Sequence, residues 1–343
     1  MTTCLVCNAE GHRLAWLHPA VELQRCYECG FAWSEPKHDS VRDKFYMREN
    51  VQDLDYIYER AQRRELARHR KKILQAIKQY LVTYKQTIRQ NDQDLAISDL
   101  SRLSALDPTT GENSPRLLEI GCGIGDLLDD AQNLGFHVVG YETSALRAQF
   151  VHDHLGLEVV VGAIETASLV PESFDVIVIK NTLASVQDPQ QLVRTAIQLL
   201  KPYGVLYIMT VNFDSWLCQL LKTNWTGLQL SGQKWFFTVS SLNEFMLKES
   251  LELQNISTSG LYSDYILSIL HFMQKQSSDA LQTTTPALSH NKRNLVRDMT
   301  QASYYLGGFI PYSVFNVLFT RLDANVVIEA YYRKVSTAAT PAP

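Results

Sequence analysis

An α/β fold with a parallel sheet covered on both faces is predicted for the larger part of this chain, and three observations predict it. After Pro115 short apolar runs alternate with helical stretches. The first run ends in a glycine-rich turn that opens a helix, and a last β-branched and aromatic run, Asn325 to Tyr332, closes the pattern. Strands are expected at 116–120, 136–141, 157–162, 174–180 and 204–211, a sixth at 251–259 and a seventh at 325–332. Two helix ends are legible between them. Gly135 is placed to stop the first helix as its C′ residue, and Asp188 with Pro189 supplies an N-cap and an N1 proline for a helix reaching Leu200.

The rest of the chain divides around this domain, taken as 115–335. Residues 1–40 carry two cysteine pairs, Trp16, Trp33 and Pro36, with too few aliphatics to build a core alone, so another segment must hold them. Residues 41–114 read as a helical connector and linker. Leu66, Ile73, Ile77, Tyr80 and Leu81 recur at helical spacing, and the run Asp107 to Pro115 is turn chemistry throughout. Between the last two strands, 260–323 is an insertion. Its stretch Met299–Thr320 holds no charged residue, yet Gly307, Gly308, Pro311, Asn316 and three tyrosines make a poor membrane span, so a buried or substrate-covering lid is expected. The tail 336–343 is Ala/Thr/Pro-rich and expected to be disordered.

Composition sets the outer bounds. The 343 residues are 45% apolar, the share of an ordinary globular chain, and charges of 32 and 36 nearly cancel to −4. No disordered or fibrous class fits, and no overall field draws in nucleic acid. Six cysteines are too few for a disulfide scaffold, and four of them fall in two pairs. A reducing compartment and metal binding follow, and the absence of a secretory signal pattern makes the expected location cytoplasmic.

The strongest signal for chemistry is Leu117-Leu118-Glu119-Ile120-Gly121-Cys122-Gly123-Ile124-Gly125-Asp126, a strand that enters a glycine turn and leaves as a helix. Gly121 and Gly123 are expected to let the backbone approach a ligand where a Cβ would collide, and the helix start offers free N–H groups. A dinucleotide site would have Gly-x-Gly-x-x-Gly. Here the spacing is Gly-x-Gly-x-Gly and the sixth position is Asp126, which disfavours pyrophosphate. Glu142 ends the next strand, 17 residues past Gly125, where a carboxylate can accept both hydroxyls of a ribose. Loop and acid together specify a nucleoside with little or no phosphate. A glycine turn can also serve only to pack a helix on a sheet, but the acid at the next strand's end tells against that here.

These residues resemble class I S-adenosylmethionine-dependent methyltransferases from about Arg116 to the last strand. Glu119 to Gly125 is similar to that family's first motif and Glu142 to its ribose-binding acid. Phe174-Asp175-Val176-Ile177-Val178-Ile179 resembles its fourth strand, and Leu199-Leu200-Lys201-Pro202-Tyr203-Gly204 the Leu-Lys-Pro-Gly-Gly entry to the fifth. The resemblance implies a Rossmann-like seven-stranded sheet in the order 3-2-1-4-5-7-6 with strand 7 antiparallel. It implies S-adenosylmethionine as cofactor, its methionine end held by Glu119, Gly121, Cys122, Gly123 and Gly125, its ribose by Glu142 and Thr143, and its adenine by Ala163 and Ile164, with Asn181 also in contact. Relatives often carry an acid after strand 3, where this chain reads Val161-Gly162-Ala163-Ile164. Two family histidines are also replaced: Leu183-Ala184-Ser185-Val186 stands for Leu-Glu-His-Val, and Gln233 for the histidine before Trp235-Phe236. No general base is assigned. Asn181 and Gln233 are candidates for orienting an acceptor, and Trp225, Trp235 and Phe236 for walling a pocket or for plain core. Cys122 and Cys218 are expected to be packing residues.

Cys4-x-x-Cys7, then 18 residues, then Cys26-x-x-Cys29 is the spacing of a tetrahedral zinc ribbon. A thioredoxin-like redox pair or a chance cluster are the alternatives. Four thiolates leave zinc no open position, so its expected role is structural, worth on the order of 10–16 kcal/mol. A zinc knuckle, a helical linker and a class I domain together resemble a bacterial small-molecule methyltransferase subgroup, which implies a small-molecule acceptor. Two other readings stay open. The seven basic residues of 60–72 beside a zinc ribbon suit an RNA methyltransferase, though a solvated helix face suits them better. The missing histidines suit a cofactor-binding protein without turnover.

Overall fold

The computed structural model describes residues 3–17, 21–36, 60–91, 114–162, 164, 169–225, 227–230, 232–249, 251–261, 265, 268 and 317–334, with backbone only for 60–64 and 84–91. The rest of the connector, most of the 260–323 insertion with 299–316 of its uncharged stretch, and the 336–343 tail lie outside the described residues. Chain contacts divide the protein into two compact units, each assembled from separate stretches. One comprises 1–46, 211–242 and 257–328, the other 47–210, 243–256 and 329–343.

The second unit is built on a seven-stranded sheet. Its elements in chain order are α1 (Arg60–Asn91), β4 (Arg116–Ile120), α2 (Asp126–Asn133), β5 (His137–Glu142), α3 (Ala145–Leu155), β6 (Val159–Val161), β7 (Phe174–Lys180), α4 (Pro189–Leu199), β8 (Leu200–Val211), β10 (Leu251–Ser259) and β11 (Val327–Lys334); β1 (His12–Leu17), β2 (Val21–Cys26), β3 (Ala32–Pro36) and β9 (Trp235–Phe236) form the other sheet. The order across the sheet is β10-β11-β8-β7-β4-β5-β6. Read in strand sequence this is 3-2-1-4-5-7-6 from the other edge, with one antiparallel strand, as expected. Neighbours from β8 to β6 pair in parallel. The central strands are buried on both faces: Leu117, Leu118, Val176, Ile177, Val178, Ile179 and Leu206 are all at most 1% exposed, which explains their unbroken apolar runs.

The helix ends fall where their residues dictate. Asp188 accepts from the N–H groups of Gln190 and Gln191, both at 2.9 Å, and Pro189 fills N1. Gly135, at φ 87°, follows the cap of α2. Helix α1 runs beside α2, burying Ile73, Leu74 and Ile77. Its polar residues also reach into the unit: Lys78 Nζ donates to Leu134 O (2.6 Å) at the end of α2, and His69 Nε2 lies 2.8 Å from Glu329 Oε1. The Tyr207 hydroxyl donates to the other oxygen of Glu329 (3.1 Å).

The first unit carries β1 (His12–Leu17), β2 (Val21–Cys26), β3 (Ala32–Pro36) and β9 (Trp235–Phe236) in one antiparallel sheet. The support that the N-terminal segment needs comes from residues 211–242. Strand β9 completes the sheet, and Phe213, Leu217, Leu221, Trp225 and Phe236 pack under Val21, Leu23 and Ala32. Helix α5 (Trp216–Leu221) starts this segment, capped by the Ser215 hydroxyl on Cys218 N–H at 3.2 Å; α6 (Val239–Leu247) follows β9. Among the described residues no helix is long and apolar enough to cross a membrane.

Candidate functional site

Ile120 ends β4 level with Tyr141 of β5 and Ile179 of β7, so the residues after these three positions collect at one edge of the sheet. There the N–H groups of Gly121 and Cys122 both donate to Tyr141 O, at 2.7 and 3.1 Å, and fix the loop to β5. Gly121, Gly123 and Gly125 take φ of 77°, 59° and 81°. Their reasons differ. A Cβ on Gly121 would lie 2.1 Å from Thr182 Oγ1, and one on Gly125 2.9 Å from Val151 Cγ1, whereas one on Gly123 would meet nothing within 4 Å. The close approach expected between Gly121 and a ligand is thus an approach to Thr182, whose hydroxyl reaches Ile120 O (3.1 Å) and Lys180 O (3.2 Å). Only Gly123 of the three faces open space.

Glu142 lies under this loop, 4% exposed. Its Oε2 accepts from Gly123 N–H (2.9 Å) and its Oε1 from Ser144 N–H (3.0 Å) and the Thr143 hydroxyl (3.3 Å), while Arg147 Nη1 stands 4.0 Å from Oε2. A carboxylate offers about four lone-pair sites. These bonds leave one on Oε2, and a second opens on Oε1 when the Thr143 hydroxyl turns away, so two vicinal hydroxyls find one acceptor each. Ser144 also caps α3, accepting from Arg147 N–H at 3.4 Å.

Glu119 is 1% exposed, and its Oε2 has no hydrogen-bond partner among the described residues. Burial lifts its carboxyl from 4.5 to about 7, against the pull of Lys180 and, more weakly, Arg70. Lys180 shares its face of the sheet, because Glu119 pairs with Val178, two residues before Lys180. A buried carboxylate with an idle oxygen is costly unless a cation or donor comes to it. Cys122, 7% exposed, packs against the Gly140 backbone, and burial pushes its thiol up, so it is inert packing. Cys218, fully buried, is likewise pushed up.

The other expected residues fall in different places. Asn181, at φ 58°, follows β7 with its N–H on Met209 O (2.8 Å) and its side chain exposed. Ile164 is buried, and Ala163 lies outside the described residues. Gln233 belongs to the first unit, where its Oε1 accepts from Gln229 N–H (2.9 Å) and closes its own turn. Trp225, Trp235 and Phe236 are at most 4% exposed in that unit's core. Trp235 stacks on Phe31 (6.0 Å) and Phe236 packs on Phe213 (5.7 Å).

Cys4, Cys7, Cys26 and Cys29 converge in the first unit with all four Sγ atoms within 4.8 Å of one another. Cys4 and Cys29 lie 3.6 Å apart and Cys7 and Cys26 3.5 Å. A tetrahedral zinc with Zn–S of about 2.3 Å sets its sulfurs about 3.8 Å apart, so the cluster fits that ion with a small adjustment. Val6 N–H points at Cys4 Sγ (3.4 Å), as in a metal-binding knuckle, and the bond from Cys29 draws the Cys4 thiol down to about 5.

Several contributors carried little signal in the sequence. Thr182, Lys180 and Arg70 reach the loop only through the sheet register or across from α1. Ser144 had one, since a serine two residues past a strand-ending acid is a helix N-cap. On the basic helix, His69, Arg70 and Lys78 are engaged within the second unit, leaving Arg68, Lys71 and Lys72 exposed.

Residues 88–256 match the family described as a methyltransferase domain. The chain is similar to ubiquinone biosynthesis O-methyltransferases. One from Caulobacter vibrioides is 28% identical over 150 residues, 40% of this chain and 60% of the relative. One from Cupriavidus pinatubonensis is 31% identical over 130 residues, 36% and 52% of the two chains. The chain thus spans about half the length of the curated relatives it matches. A solved S-adenosylmethionine-dependent methyltransferase from Thermotoga maritima is 25% identical with TM-score 0.36, covering 47% of this chain and 72% of that one. With glycine loop, Glu142 and strand order in place, the chain carries a class I S-adenosylmethionine-dependent methyltransferase domain.

Proposed function

We propose that the protein transfers a methyl group from S-adenosylmethionine to a small-molecule acceptor. The observation that carries this reading is the pair of buried acids at the glycine loop, Glu142 with lone pairs for a diol and Glu119 with an unpartnered oxygen. The names of the similar proteins support a small-molecule acceptor. S-Adenosylmethionine supplies, when bound, an electrophilic methyl on a sulfonium. Glu142 takes the two ribose hydroxyls as the Thr143 hydroxyl turns aside. Glu119, which burial holds part-protonated near neutrality, would release its proton to solvent and, as a carboxylate, accept hydrogen bonds from the α-ammonium group. Gly123, beside which a Cβ would meet nothing, leaves open space where the methionine end would lie, and Ala163 and Ile164 would take the adenine.

In-line displacement needs alignment and exclusion of water more than a base, and positioning alone can supply about 7–11 kcal/mol. Asn181, exposed just after β7, orients the acceptor in this reading, while Gln233 stays with the turn it closes in the first unit. Cys4, Cys7, Cys26 and Cys29 hold a structural zinc, which has no open position and takes no part in the transfer. Thiols kept free for a metal suit a reducing compartment, the cytoplasm. The test is incubation with S-adenosylmethionine labelled in its methyl group and a fractionated metabolite extract. Label appearing in one acidic, neutral or phenolic fraction supports the reading; cofactor binding with no labelled product marks a protein without turnover.

A further inference from the structure

We infer that Arg70 of α1 is a positioning residue for the glycine loop, acting through Asp126 and Asp130. This deepens the methyltransferase reading and rests on it. The loop leaves Gly125 straight into α2, and that helix lacks a side-chain cap: Gly125 itself occupies the N-cap, at φ 81° and ψ 10°. The loop holds the first turn of α2 through backbone alone, Gly125 O accepting from Asp129 N–H (2.9 Å), with no side chain to fix it. Arg70 supplies the tie from outside. Its Nε binds Asp130 Oδ2 at 2.5 Å and its Nη1 stands 3.6 Å from Asp126 Oδ2, so one guanidinium spans two acids one helical turn apart. The guanidinium is 16% exposed, which favours a fixed geometry over a loose surface pair.

The charge balance around the loop points the same way. Glu119, Asp126, Asp129, Asp130 and Glu142 crowd the start of α2 and its neighbouring strand, faced by Arg70, Lys180 and Arg147. Removing Arg70 leaves Asp126 and Asp130 to repel each other and Asp129, and that repulsion splays the turn that carries the loop. Asp126 is felt at Glu119 as well, where its charge opposes ionisation, so the Arg70 guanidinium beside it also offsets a charge close to the loop. Lys78 provides a built-in control. It ties the same two helices together at their other end, through Leu134 O, without reaching the loop.

The experiment compares the full-length wild type with R70Q, R70K and K78Q by calorimetric titration of S-adenosylmethionine and S-adenosylhomocysteine and by hydrogen exchange of the Gly121–Leu127 amides. The expected result is a loss of about tenfold in affinity for both ligands in R70Q, the order that a loosened supporting contact costs a preorganised site. R70K should regain most of it. Loop amides should exchange faster in R70Q even without ligand, and K78Q should lower the melting temperature while leaving affinity and loop exchange unchanged. Equal loss in R70Q and K78Q, or unchanged loop exchange in R70Q, overturns the inference and leaves the methyltransferase reading intact. A loss confined to one of the two ligands also overturns it, since that marks a charge effect on the sulfonium. Wild-type protein that binds neither ligand while R70Q still loosens the loop sinks the functional reading and spares the positioning role.

Discussion

Each of the two units holds would-be anions, four thiols in one and a buried carboxyl with an unpartnered oxygen in the other, and the way each does so separates a structural site from an exchangeable one. In the first unit four sulfurs lie within 4.8 Å of one another, two from before β1 and two from at or just past the end of β2, which the antiparallel pairing of His12 with Cys26 brings together. In the second a single carboxylate, Glu119, is sealed in a sheet with an idle oxygen. The sulfur cluster belongs to a sheet whose aliphatic core is thin and completed by aromatics from 211–242. The carboxylate sits in a sheet whose aliphatic strands hold without it. A cation at the first site is therefore expected to be part of folding, and a cation at the second to come and go.

The largest effect that can break this contrast is metal removal. Structural zinc in small modules contributes on the order of 10 kcal/mol, so chelation, or Cys4→Ser with Cys26→Ser, should abolish the cooperative melting of the first unit and release one zinc per chain. Elemental analysis of the purified protein and calorimetric melting check this. A protein that contains no zinc, or melts unchanged with a chelator, removes the distinction.

The second effect is smaller and pH-dependent. Between pH 4.5 and 7 the folded chain keeps the Glu119 proton that the unfolded chain releases, so stability falls as pH rises through that window. For a shift of this size the loss is about 3 kcal/mol at most, complete above pH 7. Without cofactor, Glu119→Gln should match wild type at pH 4 and exceed it at pH 8, as measured by denaturant titration, while losing cofactor affinity. Wild-type affinity should rise with pH up to about 7, since the bound α-ammonium requires the carboxylate. Equal stability gains at both pH values would show that Glu119 is not held by burial.

The third sharpens the account of the scaffold. Tyr203 sits at φ 64°, in the position where the resembling Leu-Lys-Pro-Gly-Gly motif has its first glycine. Tyr203→Gly should be neutral to stabilising by up to about 1 kcal/mol, because release of the left-handed strain opposes the entropy gained by the unfolded chain. A destabilisation beyond that would mean that the Tyr203 side chain makes contacts outweighing the strain.

What could be read from the sequence follows from how local each signal is. The strands 116–120 and 174–180 and the caps at Gly135 and Asp188 depend on neighbours a few residues away, and all were legible. The cysteine spacing was legible for the same reason. The third strand is shorter than its apolar run, Val159–Val161 against 157–162, because only those residues pair with β5. Strand β9 was not foreseen: two residues pair with β3 across some 200 positions of chain, and Trp235-Phe236 alone carries no strand pattern. At the loop the acids and glycines were legible, but the cause at Gly121 was misread. What it avoids is Thr182, brought there by the pairing of β4 with β7 rather than by any motif. Arg70 was visible only as one of a run of basic residues, and its meaning depends on which way α1 faces.

The central claim is that Glu142 and the glycine loop hold a sulfonium nucleoside, and calorimetry on zinc-loaded protein tests it most directly. Wild type should bind S-adenosylmethionine and S-adenosylhomocysteine in a 1:1 ratio. Glu142→Ala should lose at least about 2 kcal/mol for both, since it removes charge-assisted bonds to the diol and leaves the N–H groups of Gly123 and Ser144 without their acceptor. Failure of wild type to bind either ligand, or equal affinity in Glu142→Ala, would contradict the account.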